Sequence, residues 1–448
     1  MKPTPYARMV SVAARLPGPL LPIGIMAAAA SSTGSMFTTA TLVGAALIGM
    51  SISAPAAGAL AERVGPRNVL LVSAIVHVLM LVLMVSSIER LTRQDTITSN
   101  AVIYALLLSF TLVAGLSTPA TATFSRMRWW VPRGLSQKRG EAVIGSRSVR
   151  EGLRFEARID EGALIAAPVL IALLSFSFGP TVGLLCSAVL TAVAVPLYSV
   201  EQGDPVIVPA EATRFPLGGA EHAQQLLFEY RGLAPDHEPH EVEVIEPQET
   251  ENRWVRGAIA AATLALCLGA VLGALWIGVL DAAQVLGRPS LFALTLGVLA
   301  AASLTAAGFN SRDFTDPLRL RRRRLNALML LGLSLVLLAV SVLPAPGLLA
   351  FVILSVLSAL IAAVLGRLLI GLYSSLATGA PAQKLPTVLV TISGGLLVGL
   401  VLGLTVAGIS ADELGQGWSA IVGVVAAALI SGIVLGGALW GSPARARA

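Results

Sequence analysis

Three acidic residues, Glu156, Asp160 and Glu161, stand where a charged stretch passes into a long apolar run, with Arg158 among them. Carboxylates that enter a membrane span are expensive and are kept mainly where they work, as proton carriers or substrate contacts. Glu156 and Asp160 are four apart and share a helix face, where they repel if both are ionised. Arg158 and Glu161 are three apart and can pair. Asp160 and Glu161 point about 100° apart, so at most one of them faces a cavity squarely. Asp160, on the Glu156 stripe and without a local partner, is the expected proton-coupling residue. The structural alternative is that the acids occupy the first turn of a helix, where the dipole favours them. Arg367 is a second charge inside an apolar run, and it either faces a cavity and meets an anionic group or snorkels to the membrane surface.

A different chemistry, the making and breaking of surface contacts, is suggested by Gly58-Ala-Leu-Ala-Glu-Arg-Val-Gly-Pro-Arg67. The stretch lies between two apolar runs and carries charges that hydrocarbon does not accept, so it is a turn at a membrane surface. Gly58 is expected to allow close approach to a neighbour, and Gly65 to supply the positive φ of a tight reversal. Glu62 is expected between Arg63 and Arg67, or beside the N-terminus of the next helix.

Other polar features are weaker. Ser31, Ser32, Thr33, Ser35, Thr38 and Thr39, and again Thr118, Thr121 and Thr123, could line a cavity, although hydroxyls in membrane helices more often bond their own backbone. Gly395, Gly399 and Gly403 form a small-residue stripe that reads as a packing face. His237 and His240 sit among Asp236, Glu238 and Glu241, but in an acidic linker they read as a solvated loop, so no metal site is expected. Cys186 and Cys267 both fall in apolar runs, which supports neither a disulfide nor a cysteine metal site.

The elements that position these residues must be membrane helices. The chain has 448 residues, 55% hydrophobic and 12% charged, with a mean hydropathy of +0.81; a soluble globular chain does not look like this. At about 20 apolar residues per span, twelve spans are expected, at 16–32, 36–58, 68–87, 100–122, 158–178, 180–199, 256–280, 288–308, 325–343, 347–375, 386–409 and 417–440. They divide into a half at 1–199, a cytoplasmic acidic linker at 200–252 and a half at 253–448. The linker holds 12 of the chain's 25 acidic residues, with a short amphipathic helix expected around Leu226, Leu227 and Phe228. With the N-terminus inside, every Lys and Arg except Arg90, Arg93, Arg158, Arg288 and Arg367 falls on the cytoplasmic side, as the positive-inside rule requires. The net charge of +6 thus reads as membrane orientation rather than nucleic-acid binding. No cleavable signal peptide is evident, and the first span is expected to act as its own insertion signal.

The Gly58–Arg67 stretch resembles the signature loop of the major facilitator superfamily. Gly58, Leu60, Ala61, Arg63, Gly65 and Arg67 match it. Glu62 replaces the usual Asp, and Pro66 and Asn68 leave one basic residue after the second glycine. Six plus six spans around a long linker, with a basic reversal at Asn310–Arg324 after the eighth span as a degenerate copy of the loop, are that family's layout. Phe155 to Glu161 followed by Ala167-Pro168 is similar to the fifth helix of actinobacterial-type members, with Ala167 in place of a glycine.

The resemblance implies an all-α polytopic membrane protein whose two halves rock about a midplane site. It implies a secondary active transporter, proton-coupled, exporting a small, partly apolar molecule by alternating access, with Gly58, Glu62, Arg63, Gly65 and Arg67 as a conformational switch. Glu156, Asp160, Glu161 and Arg367 are then the coupling and substrate candidates. A non-transporting, transporter-like sensor or partner-recruiting subunit is the alternative. Neither a clustered His, Asp or Ser constellation nor a Walker motif is present, so no enzyme, cofactor or ATP drive is expected. The expected partners are the lipid bilayer, a small-molecule substrate and protons, in the inner or plasma membrane with both termini cytoplasmic.

The topology is testable by thiol labelling of intact cells in a cysteine-free background. Gly203→Cys and Ser442→Cys should resist an impermeant reagent while Ser99→Cys reacts; labelling at position 203 from outside would overturn the twelve-span count.

Overall fold

A computed structural model describes residues 5–92, 101–130, 146–201, 247–309, 347–379 and 385–414, with isolated positions between 329 and 336. Within them the chain is helical: α1 (Pro5–Ala13), α2 (Pro17–Thr33), α3 (Met36–Val64), α4 (Pro66–Thr92), α5 (Ala101–Leu116) and α6 (Thr121–Trp130), then α7 (Ser146–Phe178), α8 (Val182–Glu201), α9 (Pro247–Val285), α10 (Ser290–Phe309), α11 (Leu348–Gly379) and α12 (Leu385–Leu414). Nine stretches among the described residues are long and apolar enough to cross a membrane, and Ser290–Ala306 is a shorter apolar helix. The spans expected at 325–343 and 417–440, most of the linker and the Asn310–Arg324 reversal lie outside the described residues.

The span expected at 16–32 is α2, set off from α1 where Pro17 has no N–H to continue the ladder. A proline explains one departure from the expected spans: the fourth is divided into α5 and α6 around Pro119. A second departure is one of length: α7 begins at Ser146, not near residue 158. The acidic residues therefore lie well inside the helix, and the first-turn reading of Glu156, Asp160 and Glu161 is overturned.

Bare backbone lets the helices pack. In a bilayer the hydrophobic effect does not drive helix on helix, so small residues that permit close van der Waals contact take over. A Cβ on Gly49 of α3 would stand 2.3 Å from the Leu112 carbonyl oxygen, and one on Gly115 of α5 would stand 2.2 Å from that of Ala46. In the second half, Cβ atoms on Gly395, Gly399 and Gly403 of α12 would stand 2.6, 1.9 and 2.1 Å from the carbonyl oxygens of Ala262, Leu266 and Ala270 on α9. The stripe is the packing face it was expected to be. Residues 20–30 of α2 are all buried, so this helix is the centre of the first half. The halves meet along α3 with α12 and α7 with α10.

Gly399→Ala should therefore lower the melting temperature of the detergent-solubilised protein, by an overpacking cost of about 1–3 kcal/mol. Gly58→Ala, where an added Cβ meets nothing within 4 Å, should leave it unchanged or slightly raised.

Candidate functional site

The break between α1 and α2 exposes polar backbone and carries a charged side chain, and the neighbouring helices satisfy both. Thr121 at the start of α6 donates its hydroxyl to the Ala14 carbonyl at 3.1 Å, and Tyr198 of α8 donates to the Thr121 carbonyl at 3.2 Å. Ser53 of α3 donates to the Thr118 carbonyl at 2.7 Å, beside Pro119. The two proline breaks are thus closed by side chains from other spans, as backbone groups in a membrane protein require.

Arg15 sits at this junction with its side chain 2% exposed. Its guanidinium pairs with the Glu156 carboxylate, and Nη1 donates to the Glu156 carbonyl at 3.1 Å and lies 3.2 Å from Asp160 Oδ1. Ser125 of α6 donates its hydroxyl to Glu156 Oε2 at 2.7 Å. Glu156 is buried at 6% and Asp160 partly so at 22%. The four residues come from the first, fourth and fifth spans, so the cluster ties three elements at one end of the bundle. Both acids pair with Arg15. Burying such charges is offset only by close pairing and further hydrogen bonds, which the arginine and Ser125 supply. Nearby, the exposed Arg8 guanidinium lies 5.7 Å from the centroid of the Phe155 ring, within range of a cation–π contact.

The sequence-selected residues divide unevenly. Glu156 and Asp160 are brought together, by Arg15. Arg158 and Glu161 are both exposed and form no ion pair with each other, and Asp160 is not without a partner. Gly65 has the expected positive φ, at 84°, and its N–H closes on the Ala61 carbonyl at 3.0 Å. Gly58 faces open space and so makes no close approach to a neighbouring helix. Glu62, Arg63 and Arg67 are exposed and form no ion pair with one another; Asn68 instead caps α3, donating to the Val64 carbonyl at 2.8 Å.

Arg367, half-buried, stands at one end of a groove of about 620 Å³ between α10 and α11. The walls are mostly aliphatic, with Leu294, Val298, Phe351 and Val356 among them. A Thr295–Ser355 hydroxyl pair at 3.2 Å is a polar interruption. The hydroxyls of Ser31, Ser32 and Thr33 bond their own helix at 2.7–2.8 Å, and that of Thr118, just past α5, bonds the Ala114 carbonyl at 3.1 Å.

Sequence reasoning missed Arg15, treating it as one more basic residue of the N-terminal flank. The signal was present: a cation two residues before the first proline of an apolar run needs a counter-charge. It also missed His77, fully buried on α4 with Nδ1 2.8 Å from the Ala114 carbonyl oxygen, and the buried Asp281 of α9.

Removing the cation should be worse than removing the pair. Arg15→Met removes the cation that both buried acids pair with and should destabilise the folded protein by about 3–5 kcal/mol. Arg15→Met with Glu156→Met should recover most of that in a thermal melt.

Comparison with protein-family models and with curated protein sequences finds no match. Solved structures do match along the whole chain. A bacterial homologue of the iron transporter ferroportin, in an inward-facing state, superposes with a TM-score of 0.64 at 14% identity over 97% of both chains. An autoinhibited peptide transporter of the POT family gives 0.62 at 14% over 99% of both. The nucleoside transporter NupG gives 0.61 at 12%, over 97% of this chain and 98% of its own. At such identities the likeness is one of fold, and the fold is that of the major facilitator transporters: an all-helical, polytopic membrane protein.

Proposed function

We propose that the protein is a secondary active transporter, not an enzyme, working by alternating access and coupled to protons, and that it exports a small, partly apolar molecule. The reading places it in the inner or plasma membrane with both termini cytoplasmic, and the fifth-span resemblance puts it in the actinobacterial-type branch. The observation that carries it is the Arg15–Glu156–Asp160 cluster at a junction of three spans, inside a fold shared with transporters.

Asp160 is the more exposed of the two acids on Arg15, and a proton delivered to it would weaken its hold on Arg15, while Glu156 keeps Arg15 and Ser125. Because these residues sit on three spans, such a change alters how the spans are tied, which is the physical content of coupling. The groove beside Arg367 supports a substrate with an apolar body. Ala167-Pro168, packed where α7 meets Gly297 of α10, is the feature that favours export. The fold alone does not select the cargo, since the similar structures are a homologue of an iron transporter, a nucleoside transporter and a peptide transporter. The acidic linker favours the second reading, a transporter-like protein that recruits a partner without moving a solute.

Proteoliposomes with an imposed pH gradient decide between them. Asp160→Asn should abolish gradient-driven flux while substrate-induced thermal stabilisation persists, and Glu161→Gln, altering an exposed acid outside the cluster, should be mild. A wild-type gradient response from Asp160→Asn removes proton coupling from this cluster. Ligand-induced stabilisation of wild-type protein with no flux supports the second reading.

A further inference from the structure

At the end of the bundle opposite Arg15, a carboxylate of the second half reaches the backbone of the first. Asp412, near the end of α12, reaches the start of α3. Its Oδ1 accepts the Met36 N–H at 2.9 Å, and Oδ2 accepts the Phe37 N–H at 3.1 Å and the Ser35 hydroxyl at 2.6 Å. Ser35 is the helix's own N-cap, with Oγ accepting the Thr38 N–H at 3.1 Å. The first turn of any helix leaves amide protons without intrahelical partners. In α3, two of these amides are met by a side chain from the other half of the molecule, and its charge also suits the positive end of the helix dipole.

The backbone was shaped for this meeting. One turn before Asp412, a Cβ on Gly408 would stand 2.8 Å from the Met36 carbonyl oxygen and 2.9 Å from the Phe37 Cα. Only a residue without a side chain lets α12 come this close to α3. Deeper along the same pair, a Cβ on Gly44 would stand 3.1 Å from Val401.

We infer that Asp412 is a conformational clasp that holds the Ser35 end of the bundle shut and so biases which side of the membrane the interior faces. This rests on the alternating-access reading. Asp412 is exposed, so when the helices part, the carboxylate and the amides exchange each other for water. The contact therefore shifts an equilibrium without trapping one state. Its directional, charge-assisted bonds are lost together once α12 moves away, whereas apolar contacts such as those between α7 and α10 tolerate sliding. The clasp gives the closed end a discrete rather than graded stability.

Spin-label distances test this without reference to any substrate. In protein lacking Cys186 and Cys267, one label pair at Ser32→Cys and Glu413→Cys reports the clasped end. A second pair, Ala59→Cys and Gly394→Cys, reports the opposite end of α3 and α12. Asp412→Ala should reduce the short-distance population at the clasped end by about tenfold relative to the long one, with reciprocal shortening at the opposite end. Asp412→Asn, which keeps an acceptor oxygen without the charge, should fall between. Unchanged distributions overturn the clasp, and so does broadening at both ends without reciprocity. Proteoliposome flux judges the transport reading separately, so loss of flux with parent-like distances does not count for the clasp.

Discussion

One guanidinium kept out of water organises the first half of this molecule. An arginine guanidinium is a donor without an acceptor of its own, so the burial of Arg15 must be matched by acceptors, and a membrane interior offers only what other helices bring. Glu156 and Asp160 bring carboxylates, the α7 backbone brings a carbonyl, and Ser125 holds the first carboxylate in place. This requirement fixes the relative positions of the first, fourth and fifth spans more tightly than apolar packing does, because its bonds have direction. It also explains why α7 extends back to Ser146: the acids must be presented from the middle of a rigid helix, not from a fraying first turn.

A second constraint is the absence of a hydrophobic drive between helices in lipid. The molecule answers with glycines set against carbonyls, Gly49 and Gly115 in one half and Gly269, Gly273, Gly395, Gly399 and Gly403 in the other. These seams weld helices within each half. Between the halves the approach is close only in places, notably at Gly408, where the contact is finished by hydrogen bonds. The contrast between the seams within each half and the more open contact between them suits the rocking of two halves proposed above.

Much of this was legible in the chain. Local signals were read well: apolar length gave the spans that fall among the described residues, the period of four in Gly395, Gly399 and Gly403 gave a packing face, and the turn chemistry of Gly65 gave a positive φ. The errors came where a residue's role depends on something distant. Arg15 and Glu156 are 141 positions apart, beyond the reach of helical periodicity, so Asp160 looked unpartnered and the Arg158–Glu161 pair looked natural. Gly58 was assigned a neighbour it does not have, because small residues in membrane helices usually pack and nothing local marks the exception. The break at Pro119 was not read, since an apolar run through a proline still satisfies hydropathy.

Asp412 illustrates the same limit from the opposite side. Placed just past an expected span end, it reads as an ordinary surface acid, and its neighbour Glu413 has the same local context. What distinguishes it is geometry supplied by another helix: α3 presents Met36 and Phe37 with free amides because Ser35 caps only the third. A helix terminus is a fixed demand for acceptors, and in a two-half protein that demand can be met from within a half or from across the joint. Meeting it from within makes the terminus indifferent to the position of the other half. Meeting it from across makes helix capping a function of conformation, so that a local backbone requirement is converted into coupling between rigid bodies.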